Sequence, residues 1–303
     1  MTNAAQTPEL TICIVGINVE KYLRDCISSI HASGLTIPYE IIYVDNQSTD
    51  GTKSMLERDF PEVKTIWNAQ NLGFAKANNQ AILLSQSQYI LLLNPDTSVS
   101  QNSIGGLIGF LSNHARTGII GPKILNSDGS FQPHCKRGEA RPWEVFCYFL
   151  GLSKLFPTSR LFSGYLQGFL DEDETNNVPA ISGACMLIRK EVIEQIGPLD
   201  EHFFAYQEDT DFCVRARNAG WEVTYLPTSI ITHFGGKGGA NVQPLKSIFE
   251  WHRSYFLYYR KHLAKDYFFL LNWIVYLLML VKFILSLIIN VFRKEKHAGP
   301  KRG

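Results

Sequence analysis

The stretch QYILLLNPD, residues 88–96, decides the fold class of this 303-residue chain. Its apolar residues follow one another without a polar break, which is typical of a strand buried on both faces of a sheet. The pattern then ends abruptly in Asn94-Pro95-Asp96. We therefore expect a central strand whose end carries polar side chains.

Three similar patterns precede this stretch, and each is followed by residues of helical spacing. LTICIVGI is apolar and β-branched, as in a buried strand, and EKYLRDCISSI after it has apolar residues at helical spacing. The predicted strands are residues 10–17, 40–46 and 63–68, and the predicted helices are residues 20–30, 49–60 and 72–85. Strands that alternate with helices predict a mostly parallel, three-layer α/β sheet.

Polar side chains stand at the ends of two of these predicted strands. Asp45 and Asn46 follow the second strand, and Asn94 and Asp96 follow the fourth. In open α/β sheets, ligands bind beyond the carboxyl ends of the strands. Helix capping or Asx turns would explain one such residue alone, but two acidic strand ends in one sheet favour a binding site.

Composition excludes some broad classes of function. The formal net charge is +1 and 19% of the residues are charged, so a generic nucleic-acid-binding protein is not indicated. The six cysteines are scattered without a Cys-x-x-Cys pair, and we interpret them as reduced residues of a cytosolic protein. The polar N-terminus shows no secretory signal, so we expect the catalytic part in the cytoplasm.

The α/β pattern returns in the second half of the chain. Strand and helix patterns follow at residues 180–197, 208–220, 221–227 and 229–236, and the helix at 208–220 has acids in its first turn and a glycine at its end. Before them, residues 135–178 mix aromatic residues with Lys and Arg. We interpret this segment as an acceptor-side cover over the site or a membrane-docking insertion, with a floppy insertion as the alternative.

The last part of the chain has the composition of a membrane anchor. Residues 267–292 are apolar apart from Lys282, and a helix of that length, about 39 Å, would cross a ~30 Å hydrocarbon core. A buried core helix is the alternative, but apolar residues on every face argue against it. We divide the chain into a catalytic domain, an amphipathic aromatic and basic helix, a hydrophobic anchor and a basic tail, at residues 1–240, 241–266, 267–292 and 293–303.

Basic residues flank the anchor on both sides. Lys261 and Lys265 precede it, and five Lys or Arg follow it. The positive-inside rule would keep both flanks in the cytoplasm. This favours a hairpin broken near Lys282, or a helix lying in the membrane interface, over a single span. We expect attachment to the cytoplasmic face of the inner membrane.

Two common nucleotide-binding motifs are missing. The stretch GGKGG, residues 235–239, lacks the Ser or Thr and the spacing of a P-loop. The first predicted strand runs into Gly16-Ile17-Asn18 without the glycine fingerprint of a dinucleotide-binding fold.

An ordered set of motifs carries a family resemblance. The set is IVGINVEKYLRDCISSI, IIYVDNQSTDGT, NLGFAKANNQAI, LLLNPDT, SGACMLIRKEVIEQIGPLDEHFFAYQEDTDFCVRARNAGW and ITHFGG. It covers roughly residues 10–240 and resembles the family 2 inverting glycosyltransferases, most closely their bacterial rhamnosyltransferase and galactofuranosyltransferase-like branch. The resemblance implies a GT-A fold, a nucleotide-sugar donor and a divalent metal, Mg²⁺ or Mn²⁺.

The resemblance also implies roles for individual residues. Asp45 and Asn46 match the corner that binds the nucleoside, and Asn71 and Gly73 are assigned to the same donor site. Asn94-Pro95-Asp96 takes the place of an Asp-x-Asp motif, with Asp96 as metal ligand and a neutral Asn94 in the first acidic position. Asp209 matches the catalytic base, and His233 resembles a metal-binding histidine. Lys237-Gly238 stands where the branch often has a serine. The donor-site residues are thus Asp45, Asn46, Asn71, Gly73, Asn94 and Asp96.

Elementary chemistry agrees with these roles. A departing nucleoside diphosphate gains negative charge that a cation bound by hard oxygen ligands neutralises. The helix dipole favours an ionised Asp209 at a helix start, where it would accept the proton of the attacking hydroxyl. Direct attack with one base and no enzyme nucleophile inverts the anomeric centre.

Other functions were weighed against this one. A catalytically inactive sugar-binding module would not need intact acids at Asp96 and Asp209. A nucleotidyltransferase would need a Gly- and Lys-rich loop after the first strand, and a processive synthase would need further membrane helices and a Gln-x-x-Arg-Trp motif; neither is present in the sequence. From the resemblance, dTDP-rhamnose is the first expected donor and UDP-galactofuranose the second. A saccharide or lipid-linked saccharide of the cell envelope is the expected acceptor.

Overall fold

A computed structural model describes residues 7–236 and 244–292 of the chain. The four predicted strands of the first half are present as β1 (Leu10–Gly16), β2 (Tyr39–Asp45), β3 (Lys64–Trp67) and β4 (Tyr89–Leu93). They pair in the order β3-β2-β1-β4, and all three pairs are parallel. Every residue of β1 and β4 is buried, because helices cover both faces of a parallel sheet.

The helices between these strands begin and end close to their predicted limits. They are α1 (Glu20–Ala32), α2 (Thr52–Asp59) and α3 (Phe74–Leu84), followed by a short strand β5 (Thr97–Val99) and by α4 (Ser103–Asn113). Each helix turns an apolar face to the sheet; in α1 that face is Leu23, Cys26, Ile27 and Ile30.

The second half of the chain extends the same sheet. Its strands are β6 (Thr117–Leu125), β7 (Lys136–Arg137), β8 (Asn176–Asn177), β9 (Ala180–Ile181), β10 (Cys185–Arg189) and β11 (Glu222–His233). The full order is β3-β2-β1-β4-β10-β6-β11-β5, with β8 beside β11, while β7 and β9 form a separate pair. β5, β8 and β10 oppose the other strands of the large sheet, which is therefore mixed but mostly parallel.

One element differs from its prediction. The strand patterns at residues 221–227 and 229–236 form a single strand, β11, with a register irregularity between Leu226 and Ile230. Pro227 explains the irregularity, because proline has no N–H for the ladder. The remaining helices of this half are α5 (Pro142–Phe149), α6 (Leu152–Leu155), α7 (Lys190–Ile196) and α8 (Glu208–Asn218).

The aromatic segment 135–178 is folded rather than floppy. It contains β7, α5, α6 and β8, and it contacts the large sheet because β8 pairs with β11 and the Tyr225 hydroxyl of β11 donates to the Glu172 carbonyl at 2.7 Å. Large apolar side chains of this segment nevertheless face outward. They include Trp143, Phe146, Phe149, Leu150, Leu155 and Phe156. The segment therefore combines contacts with the large sheet and an exposed apolar surface.

Two further α-helices, α9 (Pro244–Tyr258) and α10 (Phe269–Phe292), complete the described chain, with a π-helical turn at Tyr259–Leu263 and a 3₁₀ turn at Ala264–Asp266 between them. α10 runs antiparallel to α9, since Tyr276 packs on Phe256 and Phe283 packs on Phe249. Within the described ranges, α10 is the one helix long and apolar enough to cross a membrane, and only 11% of its most apolar window is buried.

Of the two favoured forms of the anchor, the hairpin broken near Lys282 is wrong. α10 continues through this residue without interruption. The Nζ of Lys282 lies 3.9 Å from the ring centroid of Trp251 and 4.2 Å from that of Phe149. These cation–π contacts stabilise the charge, so a continuous helix can accommodate Lys282. A single continuous helix is the form of the predicted anchor.

A buried charge cluster fastens the C-terminal helices to the catalytic part. Asp211, in α8, accepts hydrogen bonds from Lys261 and His262 at 2.6 Å each and from Arg215 at 2.8 Å. Burial opposes the charge of Asp211, but the hydrogen bonds of His262 and Lys261 prevail and lower its pKa below the usual value. The acidic first turn of α8 thus has one member with a structural task.

Some predicted features lie outside the described residues. These are the basic tail at 293–303, Lys237-Gly238, and residues 241–243 of the predicted amphipathic helix. All six cysteines lie within the described ranges, and all are buried and free of disulfide bonds.

Candidate active site

Asp45 and Asn46 stand at the end of β2, as predicted. The Asp45 carboxylate accepts from the Ser48 N–H at 2.6 Å and from the Tyr43 hydroxyl at 3.1 Å. The Asn46 amide donates to the Gly73 carbonyl at 3.0 Å and accepts from the Leu72 N–H at 3.3 Å. Asn46 therefore ties the end of β2 to the loop that carries Gly73.

Asn71 and Gly73 shape that loop. The Asn71 side-chain oxygen accepts from the Gly73 N–H at 2.9 Å. Gly73 has φ +84°, and a Cβ atom there would collide with the carbonyl of Phe204. The Phe74 N–H donates to the same carbonyl at 2.6 Å. Only glycine permits this backbone angle together with this close approach.

Asn94, Asp96 and His233 meet at the end of β4. The Nε2 atom of His233 lies 3.2 Å from Oδ1 of Asp96 and 3.3 Å from the Asn94 amide nitrogen. The other ring nitrogen, Nδ1, lies 2.9 Å from Oε1 of Gln132. Asp96, His233 and Gln132 are all buried. The last residue of β11 is thus brought to the Asn-Pro-Asp turn, because the Phe234 N–H donates to the Asp96 carbonyl at 2.9 Å.

This donor set suits a divalent cation that a substrate helps to coordinate. Across residues 7–236 and 244–292, no three His, Cys, Asp or Glu side chains group as a complete metal site. Asp96 and His233 offer a carboxylate oxygen and an imidazole nitrogen 3.2 Å apart beyond the end of β4. Cations of the Mg²⁺ type are commonly held by one or two protein groups, with water and substrate phosphates completing the shell.

Asp209 lies at the start of α8 with its carboxylate fully oriented by the protein. Oδ2 accepts from the Gly183 N–H at 2.9 Å and from Arg137 at 2.5 Å, and Oδ1 accepts from the Thr210 N–H at 2.7 Å. Arg137 comes from β7, in the segment predicted to cover the site. Asp209 is buried, with 8% of its surface exposed.

The neighbouring carboxyl of Glu208 has a different character. Burial, together with the charge of Asp209, raises the pKa of Glu208 to about 8. Its Oε2 atom is buried without a hydrogen-bond partner. Glu208 is therefore mostly neutral at pH 7, so of these two adjacent acids only Asp209 has the hydrogen-bonding environment of a carboxylate.

A two-residue bridge joins the candidate base to the metal corner. Gly183 donates to Asp209, and the carbonyl of the next residue, Ala184, accepts from the Asn94 N–H at 2.9 Å. Asp45, Asn46, Asn94 and Asp96 thus follow the carboxyl ends of β2 and β4, and these contacts connect Asp209, at the start of α8, to the end of β4. The sequence did not single out Arg137, Gly183 or Gln132. Arg137 stood out only as one basic residue in an aromatic segment, and the other two gave no local signal.

Comparison with known proteins shows which family the chain resembles in sequence. The family described as Glycosyl transferase family 2 matches residues 11–197. An N-acetylglucosaminyl-diphospho-decaprenol L-rhamnosyltransferase of Mycobacterium tuberculosis is 30% identical over 207 residues, which cover 65% of this chain and 66% of the relative. The low-salt glycan biosynthesis hexosyltransferase Agl10 of Haloferax volcanii is 29% identical over 213 residues, covering 69% of this chain and 62% of the relative. The chain thus spans slightly less than two thirds of the length of these relatives.

A solved structure shares the fold. The mannosyltransferase PcManGT from Pyrobaculum calidifontis, in complex with GDP-Man and Mn²⁺, has a TM-score of 0.57 and 15% sequence identity. The likeness covers 84% of this chain and 65% of that chain. The fold is therefore GT-A-like, as the sequence predicted.

Proposed function

Because the chain belongs to glycosyl transferase family 2, we propose that it is a metal-dependent, inverting glycosyltransferase that uses a nucleotide-diphosphate sugar. The observation that carries the proposal is the bridge from Asn94 through Ala184 and Gly183 to Asp209. It links an oriented carboxylate to the Asp96–His233 corner at one sheet edge. A base beside a cation site is what direct displacement of a diphosphate by a hydroxyl requires.

Asp96 and His233 would hold Mg²⁺ or Mn²⁺. When bound, the cation supplies neutralisation of the negative charge that gathers on the departing diphosphate. Asp45, at the end of β2, is the residue proposed to receive the nucleoside. The loop fixed by Asn46, Asn71 and Gly73 would form the wall of that donor site, and Asn94 would lie beside the diphosphate.

Asp209 is the proposed base. Its carboxylate would accept the proton of the acceptor hydroxyl as that oxygen attacks the anomeric carbon. Arg137 and the Gly183 N–H hold Oδ2 in place, and the preorganised carboxylate then needs no rearrangement at the moment of reaction. With a single base and no enzyme nucleophile, the product has the inverted anomeric configuration.

The donor and acceptor are proposed from the relatives. Rhamnose from dTDP-rhamnose is the favoured sugar, because the mycobacterial relative is named as an L-rhamnosyltransferase, and galactofuranose from UDP-galactofuranose is second. The proposed acceptor is a hydroxyl of a saccharide or lipid-linked saccharide used for cell-envelope polysaccharide. The alternatives are an inactive sugar-binding module and a nucleotidyltransferase. An activity assay would distinguish them from a glycosyltransferase.

We further propose that the protein works at the cytoplasmic face of the inner membrane, with α10 lying in the interface. α10 packs along α9, which carries Lys246, Glu250 and Arg253. If α10 crossed the bilayer alone, it would have to separate from α9; if both entered, these charges would be desolvated at high cost. An interfacial position keeps the pair together and places the exposed aromatic residues of α5 beside the lipid.

A donor screen tests the proposed function. The purified protein would be heated with dTDP-rhamnose, UDP-galactofuranose and other nucleotide sugars, with and without Mn²⁺, because a bound ligand raises the melting temperature. The donor that stabilises would then be offered with lipid-linked saccharides, and the anomeric configuration of the product read by NMR. Metal-independent binding of every donor, or a retained configuration, would contradict the proposal.

A further inference from the structure

A turn next to the metal corner contains a directed chain of hydrogen bonds. Residues 126–132, Asn-Ser-Asp-Gly-Ser-Phe-Gln, follow β6. The turn is closed by the Asn126 N–H, which donates to the Ser130 carbonyl at 2.8 Å, and Gly129 adopts φ +83°. Hydrogen bonds connect the side chains of alternate residues in this turn, and the last of these side chains contacts His233. The order is Asp128, Ser130, Asn126, Gln132 and His233.

The outer half of the chain starts at a carboxylate. The Ser130 hydroxyl donates to Asp128 at 2.6 Å, and the hydrogen bonds from Ser130 lower the pKa of Asp128, so the carboxylate only accepts. The hydroxyl proton of Ser130 is thereby committed, and its oxygen accepts from the Asn126 amide at 2.9 Å. The same amide nitrogen also faces the Phe131 carbonyl at 3.4 Å. Because both of these oxygens accept, the end of the Asn126 amide that faces them must be its NH₂ group.

The inner half passes this orientation to His233. Asn126 has its oxygen left for Gln132, whose amide nitrogen donates to it at 2.9 Å. Gln132 must then present its oxygen, Oε1, to Nδ1 of His233 at 2.9 Å. An amide oxygen only accepts, so Nδ1 carries the proton. In neutral His233 the lone pair therefore lies on Nε2.

The position of that lone pair matters because Asp96 lies 3.2 Å away. With the other tautomer, an Nε2–H group would donate to the Asp96 carboxylate, and the two residues would satisfy each other. With the tautomer imposed by Gln132, two electron-rich atoms face the same space. The Asn94 amide, 3.3 Å from Nε2, is the donor available to it within the protein.

We propose that the 126–132 turn is a positioning device that holds His233 in its Nδ1–H tautomer and so directs the Nε2 lone pair toward the side of Asp96, where a divalent cation would bind. Gln132 is the positioning residue in contact with the imidazole, and Asn126 fixes the amide of Gln132. This inference rests on the proposed metal-dependent function. Ligating histidines generally need such a partner on the second nitrogen, and its loss typically weakens metal affinity 10–100-fold.

The first test reads the tautomer directly in the metal-free, full-length protein. Nitrogen NMR of the His233 imidazole, recorded well above the usual titration range of histidine, should show a protonated Nδ1 in the wild type. Gln132→Leu should shift the population to the Nε2–H form. Gln132→Glu, which keeps an acceptor oxygen at this position, should retain Nδ1–H. An unchanged tautomer in Gln132→Leu would overturn the inference.

The second test measures the affinity for Mn²⁺ alone, by electron paramagnetic resonance of the free ion. Gln132→Leu should weaken binding about 10–100-fold, and Asn126→Leu should weaken it less. Gln132→Glu, which keeps the acceptor oxygen, should retain the affinity of the wild type. Ser127→Ala is the matched control, because Ser127 is exposed in the same turn and takes no place in the chain described above. Equal affinity in Gln132→Leu and Ser127→Ala would overturn the inference.

The two tests separate this inference from the proposed function. If Asp96→Ala bound Mn²⁺ as tightly as the wild type, the metal site itself would be wrong. The tautomer measurement needs no metal, so it judges the role of Gln132 independently. Circular dichroism of each variant would show that the fold is intact before either result is interpreted.

Discussion

Arg137 and Asp209 form a buried ion pair in which a guanidinium nitrogen lies 2.5 Å from the carboxylate oxygen Oδ2. Only 12% of the Arg137 side chain and 11% of the Asp209 side chain are exposed. Burial removes most of the water from both charges, so each charge is stabilised by the other instead. The pair also joins the covering segment 135–178 to the first turn of α8.

Arg137→Met should therefore destabilise the protein. Removing one partner of a buried pair leaves an uncompensated charge, which costs roughly 3–5 kcal/mol. Urea denaturation would measure the loss in the free energy of unfolding. Arg137→Met combined with Asp209→Asn should recover part of that stability, and a double variant no more stable than Arg137→Met would show that the two charges are not coupled.

Asp209→Asn should abolish sugar transfer while leaving donor binding largely intact. A positioned base typically contributes 10²–10⁴-fold to the rate, and the asparagine cannot take the proton. Initial rates and calorimetric titration with the donor would measure the two effects. Glu208→Gln is the matched control from the same turn, and it should keep most of its activity at pH 7 because Glu208 is already mostly neutral there. Activity of Asp209→Asn within about tenfold of the wild type would contradict the role as base.

Glu208 should give the stability a characteristic pH dependence. Its pKa in the folded protein, about 8, lies above the ordinary value of 4.5. Between these two values the folded protein keeps a proton that the unfolded chain releases, so stability falls as the pH rises, by up to ~1.4 kcal/mol per pH unit. Glu208→Gln should remove this slope. Denaturation at several pH values from 5 to about 8 would measure the free energy of unfolding of the variant and of the wild type. If the two free energies changed with pH in parallel, the shifted pKa would be contradicted.

Asp96→Ala should lose metal-dependent donor binding, and His233→Ala should weaken it less. The carboxylate carries the charge that attracts the cation, whereas the imidazole is a neutral ligand. Calorimetry with dTDP-rhamnose and Mn²⁺ would compare both variants with the wild type. Unchanged affinity in Asp96→Ala would remove the metal role, and unchanged affinity in His233→Ala would return that residue to a purely structural one.

The exposed face of α10 should hold the protein on the membrane. Replacing Leu277, Leu285 and Ile288, which are about half exposed, by glutamine should move the full-length protein into the soluble fraction. Leu84→Gln, at an exposed position on α3, is the control. A triple variant still wholly in the membrane pellet would place the attachment elsewhere, with the aromatic face of α5 as the next candidate. Labelling a C-terminal cysteine from outside intact cells would show that α10 spans the membrane.

The sequence predicted what local patterns encode. Apolar runs ending in polar residues gave β1, β2 and β4, and with them the edge where Asp45 and Asp96 lie. It could not predict pairs such as Arg137–Asp209 or Gln132–His233, which are separated by 72 and 101 residues. Such contacts depend on the strand order, and no spacing along the chain marks them.

The C-terminal anchor shows the same limit. Its length and apolar composition predicted a long helix, and α10 is present over Phe269–Phe292. The break expected at Lys282 assumed that a charge in an apolar run must reach water. The rings of Trp251 and Phe149, which meet edge to face and belong to two other helices, gave the charge a different environment.

The contact between Gly73 and Phe204 has a consequence for the order of events in a catalytic cycle. The loop at Gly73 belongs to the proposed donor side, and the segment at Phe204 leads directly into α8 and Asp209. Because the Phe74 N–H donates to the Phe204 carbonyl, and both this carbonyl and the Phe204 ring lie against Gly73, a shift of one loop would disturb the other. Binding of the nucleotide at the Gly73 loop would thus move the segment that leads into α8. We therefore expect ordered binding, with the donor before the acceptor.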